Sequence, residues 1–163
     1  MATVRGGRGL EDALGRIGKG LGEREKVLRV GFLEGATYPG GPVKNRAGKM
    51  VETSDVNVAT VAAAQEFGTD TIPPRPYFRH MIAEKKGSWG PATGKLLKAN
   101  DYDVDRTLNQ VGMGVQGQLQ QSILDTNAPP LAESTIKAKG FDKPLVDTAH
   151  MIRSVDYEVA DKA

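Results

Sequence analysis

The longest regular pattern of apolar positions runs from about residue 104 to residue 125. Apolar residues recur there every three or four positions, the spacing of one helical stripe; they are Val104, Leu108, Val111, Val115, Leu119 and Ile123. At about 1.5 Å per residue, this predicts a helix about 30 Å long. Its other faces are rich in glutamine, and Gly112, Gly114 and Gly117 thin its middle. These glycines would let a neighbouring backbone approach closely or let the helix bend, or they only make it flexible.

Two segments near opposite ends of the chain have the pattern of β-strands. Residues 27–33 are dense in strand-forming side chains and are bounded by charged and glycine residues. Residues 154–159 alternate polar and apolar side chains, which indicates a strand with one buried face. We expect the two to pair in a small antiparallel sheet. The turn-rich stretch 34–55 is long for a connection, so it either binds a partner or contains a hairpin that the pattern does not reveal.

Shorter helices are predicted on either side of the long one. Asn57 is suited to cap an alanine-rich helix at 58–66, and Gly68 is suited to end it in the left-handed conformation. Further helical segments are expected at 132–138, where Gly140 ends the helix, and at 149–153.

Three prolines follow the alanine-rich helix, in the segment 72–76. Proline fixes φ and disfavours a helical residue before it, so this backbone must be extended and stiff. The last of these prolines is suited to the first turn of a new helix, in which Tyr77 and Met81 face the core. We expect that helix to run to about residue 86, to be interrupted by Gly-Ser-Trp-Gly-Pro at 87–91, and to be followed by a separate helical piece at 92–99.

The N-terminal 26 residues form a separate, glycine-rich arm in this interpretation, and residues 27–163 form a single α+β domain. Apolar residues of the arm, from Leu10 through Leu14 and Ile17 to Leu21, keep the spacing of one helical face. Each interior glycine costs a helix about 1 kcal/mol relative to alanine, so this helix should be weak in isolation. It is either a frayed terminus or a helix that becomes ordered only against a partner.

Composition limits the possible classes of protein. A chain of 163 residues suits one domain, and 39% hydrophobic with 26% charged residues is typical of a soluble protein. The absence of cysteine excludes disulfides, thiolate zinc sites and cysteine nucleophiles, and it fits a reducing cytoplasm. We identify no secretory signal and no apolar run of membrane-spanning length.

Candidate chemistry is sparse, and we expect neither an enzyme nor a cofactor or metal site. His80 and His150 lack a second ligand at helical spacing. Asp101, Asp103 and Asp105 alternate as calcium ligands do, but the glycine and distal glutamate of a calcium loop do not follow, so helix capping explains them better. Neither a nucleophile elbow nor a phosphate-binding loop is present, which disfavours a small hydrolase.

A local basic patch is the basis of a second interpretation. Lys44, Arg46 and Lys49 lie in the turn-rich stretch and are either solvated surface or phosphate contacts. Together with Arg5 and Arg8 they would serve a nucleic-acid-binding module. The net charge of +2 is small for that role, and aromatic stacking platforms are missing.

Two motifs in order carry a resemblance to a known family. The first motif is Glu66-Phe67-Gly68-Thr69 followed by Ile72-Pro73-Pro74-Arg75-Pro76-Tyr77-Phe78-Arg79. The second motif lies near the C-terminus and is Leu145-Val146-Asp147-Thr148-Ala149-His150-Met151-Ile152-Arg153-Ser154-Val155. With the strand at 27–33 before them, these resemble the neck and tail-completion proteins of tailed bacteriophages, also called virion morphogenesis or minor tail proteins. Tyr77 stands where the family more often has Phe, and Ala149 stands where it usually has Gly.

The resemblance implies a structural virion protein that is assembled in the cytoplasm of a host bacterium. It would form a homo-oligomeric ring of six copies in the neck that joins the head to the tail. Its partners would be further copies of itself, the head connector or portal-side neck proteins, and the tail terminator, tube or sheath proteins, with DNA in the lumen contacted without sequence specificity. A tail terminator ring is the alternative within the same class.

The candidate interaction residues are those of the proline motif and the basic patch. The motif contributes Ile72, Pro73, Pro74, Arg75, Pro76, Tyr77, Phe78 and Arg79, and the patch contributes Lys44, Arg46 and Lys49. A rigid extended segment loses little entropy on docking, which favours a contact between subunits or proteins. Arg75 and Arg79 would either bond to the partner or hold the turn of their own protomer together.

Overall fold

A computed structural model describes residues 7–21, 25–33, 35–44, 48–145 and 149–162. Within these ranges the architecture is α+β, as predicted. The helices are α1 (Gly7–Leu21), α2 (Val58–Phe67), α3 (Tyr77–Ala99), α4 (Val104–Asp125), α5 (Glu133–Lys139) and α6 (His150–Arg153). The strands are β1 (Lys26–Phe32), β2 (Thr37–Tyr38), β3 (Gly41–Lys44), β4 (Met50–Thr53), β5 (Val56–Asn57) and β6 (Val155–Asp161).

The strands from the two ends of the chain pair with each other. β1 and β6 are antiparallel, with Leu28 opposite Val159 and Val30 opposite Tyr157. The predicted pairing of these segments is therefore confirmed. α4 packs against both strands, so the long helix and the sheet support each other.

A side chain, rather than the expected backbone, approaches α4 closely, and it does so at one of the three glycines. Gly112 is buried against the ring of Tyr157, whereas Gly114 and Gly117 face open space. The predicted helix is confirmed, but the buried positions in its N-terminal half are not all the predicted ones. Thr107 is buried there and Leu108 is only half-buried, because Thr107 Oγ1 accepts a hydrogen bond from the buried Asn100 side chain at 3.1 Å.

The glutamines of α4 bind neighbouring elements. Gln116 Nε2 donates to the Val155 carbonyl at 2.7 Å, and Gln120 Nε2 donates to the Ile152 carbonyl at 3.2 Å. These side chains satisfy backbone carbonyls where β6 begins. Uncharged donors suit this contact because no charge has to be desolvated.

The predicted interruption of α3 at 87–91 is wrong. The helix continues through Pro91 to Ala99 and lies antiparallel to α4. Trp89 anchors the middle of the pair, since its indole Nε1 donates to Gln118 Oε1 at 2.8 Å. Packing of this kind supplies most helix stability in proteins and here outweighs the local cost of the glycines and the proline.

The core lies where α2, α3, α4 and α6 meet the start of β6. Its members are buried apolar side chains: Val58, Ala62, Tyr77, Met81, Leu119, Ile123, Leu145, Met151 and Val155. Residues 37–44 and 50–57 form a two-stranded hairpin, in which β2 pairs with β5 and β3 pairs with β4. Of the two interpretations of the turn-rich stretch, the hairpin is therefore present.

The helix ends follow local chemistry with one exception. Asn57 Oδ1 accepts from Ala59 N at 2.7 Å, which confirms the predicted cap of α2, and Gly140 ends α5 in the left-handed region. Gly68 has φ 79° and ψ 172°, so the predicted left-handed helical conformation is wrong there. The chain instead turns sharply into the proline segment, which passes so close that a Cβ at Gly68 would lie 2.9 Å from the Ile72 carbonyl oxygen.

Candidate interaction site

The C-terminal end of α2, the proline segment and the start of α3 form one hydrogen-bonded corner. Glu66 is 4% exposed, and its carboxylate faces the first turn of α3. Oε2 accepts from Phe78 N at 2.9 Å and Oε1 accepts from Arg79 N at 3.1 Å. The first N–H groups of a helix have no partner within it, and Pro76 at the N-cap supplies no side-chain acceptor. Glu66 therefore caps α3 from a different helix.

Arg79 bonds to the same glutamate. Its Nε donates to Glu66 Oε1 at 2.8 Å, and a terminal guanidinium nitrogen donates to the Glu66 carbonyl at 3.0 Å. The guanidinium carbon also lies 5.0 Å from the ring centroid of Phe67, within the range of a cation–π contact. This contact holds the Phe67 ring beside α3, although Phe67 is 66% exposed.

Arg75 holds the turn of its own protomer together. Its side chain is buried, with the residue 3% exposed, and it joins α2 to the segment that follows α4. Nε donates to the Pro129 carbonyl at 3.0 Å, and the two terminal nitrogens donate to Gln65 Oε1 at 3.0 Å and to the Pro130 carbonyl at 3.4 Å. Burial lowers the pKa of the Arg75 guanidinium, which still remains protonated at neutral pH.

Tyr77 places a phenol in the core beneath the corner. Its hydroxyl donates to the Ala62 carbonyl at 3.1 Å, so the oxygen that distinguishes it from Phe has a partner. Burial raises the pKa of the Tyr77 hydroxyl well above its ordinary value, since the phenolate would lack water. Edge-to-face contacts with Phe32 and Phe78, both with centroids 6.5 Å apart, surround the ring.

Residues 69–74 form a rigid loop on this base, here called the buttressed loop. Thr69 Oγ1 accepts from Ile72 N at 3.1 Å, and Thr69 N donates to the Ile72 carbonyl at 2.8 Å. Pro73 and Pro74 are exposed, whereas Ile72 is half-buried. The motif thus divides into buried anchors, chiefly Arg75 and Tyr77, and an exposed loop that a partner can contact.

An apolar cup next to the loop was not predicted from the sequence. It is a shallow cavity of about 250 Å³ whose lining includes Ala59, Ala62 and Ala63 of α2 together with Phe67 and Phe78. The alanine-rich composition of α2 was the available indication of a surface that can be approached closely.

Only part of the basic patch lies among the residues that the structure describes. Lys49 is exposed just before β4, Lys44 ends β3 with its side chain outside the described part, and Arg46 lies outside the described residues. Arg5 is likewise outside them, and Arg8 lies in α1 with no described side chain. The choice between solvated surface and phosphate contact therefore stays open.

The described part of the C-terminal motif contributes side chains to the core. Leu145 and Met151 are buried, and residues 146–148 lie outside the described ranges. Ala149 has φ 58° and ψ 11°, a left-handed conformation for which glycine is better suited than alanine. His150 Nε2 lies 3.0 Å from the Thr37 carbonyl, and the imidazole packs on Tyr38 with ring centroids 4.7 Å apart.

The other candidate chemical groups have structural partners. His80 Nε2 lies 3.1 Å from Glu84 Oε1 on an exposed face of α3. Asp103 Oδ1 caps α4 by accepting from Arg106 N at 2.9 Å, as predicted, and Asp105 pairs with Lys26 at 3.2 Å.

In the described ranges, no three His, Asp or Glu side chains are grouped as a metal would need. Among the described helices, none has the length and apolar character to cross a membrane. Comparisons with protein-family models, with curated proteins and with solved structures found no match for this chain.

Proposed function

We propose that this chain is a structural protein of a tailed bacteriophage that forms a ring in the neck, where the head connector meets the tail. The observation that carries the proposal is the proline motif and its fold. The residues that resemble the family's first motif form one hydrogen-bonded corner, and this corner presents an exposed, rigid loop.

The corner has the physical properties of a docking element. The buttressed loop is held by Glu66 and Arg75, two charged side chains that are almost fully buried and fully engaged within the protomer. Its exposed residues include two prolines, whose φ angles are already restricted. Docking such a loop orders few additional torsions, so more of the contact energy remains as affinity.

A ring gives this rigidity a mechanical role. Subunits that contact one another through two different surfaces form a closed ring when the rotation between them closes. Such a collar matches symmetric partners above and below it, the head connector on one side and the tail on the other. The protein would act by its shape, without turnover of a substrate.

Electron microscopy tests the proposal directly. The purified chain, viewed by negative stain, is expected to form closed rings, and an antibody against it is expected to label the neck of tailed particles from the phage that encodes it. A protein that stays monomeric at all concentrations and is absent from purified particles would overturn the proposal.

A matched pair of substitutions tests the buttressed loop. Pro73→Asp places a charge on an exposed loop residue, and Ala92→Asp places the same charge on an exposed position of α3. Both variants are expected to keep the circular dichroism spectrum of the wild type. We expect Pro73→Asp alone to reduce the number of tailed particles, and equal numbers from both variants would remove this loop from the contact.

A further inference from the structure

An apolar trough is lined by side chains of β1, α3 and α4. It is lined by Leu28, Val30, Ile82, Trp89, Val111 and Val115, and it has a volume of about 260 Å³. Small-molecule sites usually enclose about 300–1,000 Å³ and include several polar groups. The trough is smaller and almost wholly apolar, so one or two aliphatic side chains of a protein segment fit it better.

The described part of α1 presents a matching surface that is left uncovered. Leu14 is 58% exposed, and Ile17, one turn later, is only half-buried. Gly15 and Gly18 face open space, and no other element in the described ranges packs extensively against this helix. A glycine-rich helix of this length is weak in isolation, so a contact along its apolar side would stabilise it.

Charges beside the two surfaces are complementary. Glu11 lies one turn before Leu14 on the same side of α1, and Lys86 lies between Ile82 and Trp89 on the side of α3 that borders the trough. Both side chains are exposed, and neither forms an ion pair with any residue of the described ranges. An aliphatic side chain of α1 in the trough would bring these opposite charges towards each other.

We propose that α1 of one copy of this chain docks into the apolar trough of the next copy, with Leu14 inserted between β1 and α3. The inference rests on the proposed function and names the contact that would build the ring. Helix and trough are different surfaces of one chain, so their contact is head-to-tail and every copy offers both halves.

The absence of native cysteine allows a direct cross-linking test. Two single-cysteine variants, Leu14→Cys and Val111→Cys, are mixed after one has been given a mass tag, and are then oxidised. We expect a mixed dimer, and we expect little of it when Arg16→Cys on the polar side of α1 replaces Leu14→Cys. Cross-linking only within a chain that carries both cysteines would show that α1 docks on its own trough and would overturn the proposal.

Trp89 supplies a second readout, because it lines the trough and is the single tryptophan of the chain. Its emission is expected to shift to shorter wavelength as the protein concentration rises and copies associate. Burial of one leucine corresponds to about tenfold to hundredfold in affinity, so Leu14→Asp should weaken self-association by at least that factor, while Arg16→Asp should leave it nearly unchanged.

The outcomes separate this inference from the proposed function. If Leu14→Asp assembles into rings as the wild type does, α1 is not the contact, but the ring remains. If the two single-cysteine variants do not cross-link, and the wild type neither forms rings nor occurs in tailed particles, both proposals fail.

Discussion

The ring of Tyr157 in β6 lies directly against the backbone of Gly112 in α4. A Cβ atom at position 112 would come 2.3 Å from Tyr157 Cδ2 and 2.7 Å from Cγ, distances at which one of the two must move. The missing side chain thus brings the long helix close to the β1–β6 sheet.

Gly112→Ala is expected to destabilise the protein although alanine favours a helix. Overpacking costs about 1–3 kcal/mol, which outweighs a gain in helix propensity of about 1 kcal/mol. Gly117→Ala is the matched control, because nothing lies near that position, and it should stabilise by up to about 1 kcal/mol. Urea denaturation measures both, and an increase in stability for both would contradict the close packing.

Replacing Glu66 should loosen the corner that supports the buttressed loop. Glu66→Ala removes the cap of α3 and leaves Arg79 without its carboxylate, so we expect a loss of about 2–3 kcal/mol. Glu66→Gln keeps one carbonyl acceptor and should cost about half as much. Equal losses for the two variants in chemical denaturation would contradict this expectation, because the carbonyl oxygen that Gln retains would then contribute nothing.

Arg75→Ala is expected to unfold the corner rather than to remove a contact with a partner. The substitution leaves the Pro129 and Pro130 carbonyls and Gln65 Oε1 without their buried donor. We expect a loss of about 2–4 kcal/mol, visible as a lower thermal midpoint of the isolated protomer. If the Arg75→Ala protomer is fully stable but no longer assembles, Arg75 contacts a partner and this prediction is wrong.

Ala149→Gly is expected to stabilise the protein. Alanine at φ 58° is in a conformation that costs an L-residue about 1–2 kcal/mol, partly offset by the greater freedom of glycine in the unfolded chain. The expected net gain is about 0.5–1 kcal/mol in the free energy of unfolding. Ala83→Gly, on the exposed side of α3, should instead destabilise by about 1 kcal/mol; a loss at both positions would argue against the left-handed backbone.

Alkaline pH should destabilise the wild type more steeply than Tyr77→Phe. Burial raises the pKa of the Tyr77 hydroxyl in the folded protein, while in the unfolded chain this group titrates near pH 10. Above about pH 10 the tyrosine therefore loses its proton in the unfolded chain but keeps it in the folded protein. Deprotonation stabilises the unfolded state, so the free energy of unfolding falls. Denaturation between about pH 9 and pH 11 compares the two slopes, and parallel slopes would contradict this role.

The sequence by itself determined the features that depend on neighbours along the chain. The helix α4, the strand β6 and the caps at Asn57 and Asp103 follow from local patterns, and each element formed close to where it was predicted. Their physical cause is side-chain periodicity or a hydrogen bond that spans two or three residues, which can be read without the fold.

Only the tertiary structure decided the features that depend on distant residues. α3 passes through Pro91 because Trp89 is held by Gln118, and α3 is capped by Glu66, which belongs to another helix. Arg75 became a buried anchor because the chain after α4 returns to place two carbonyls beside it. Local spacing contains no information on such encounters, since their free energy comes from partners that only the folded chain brings together.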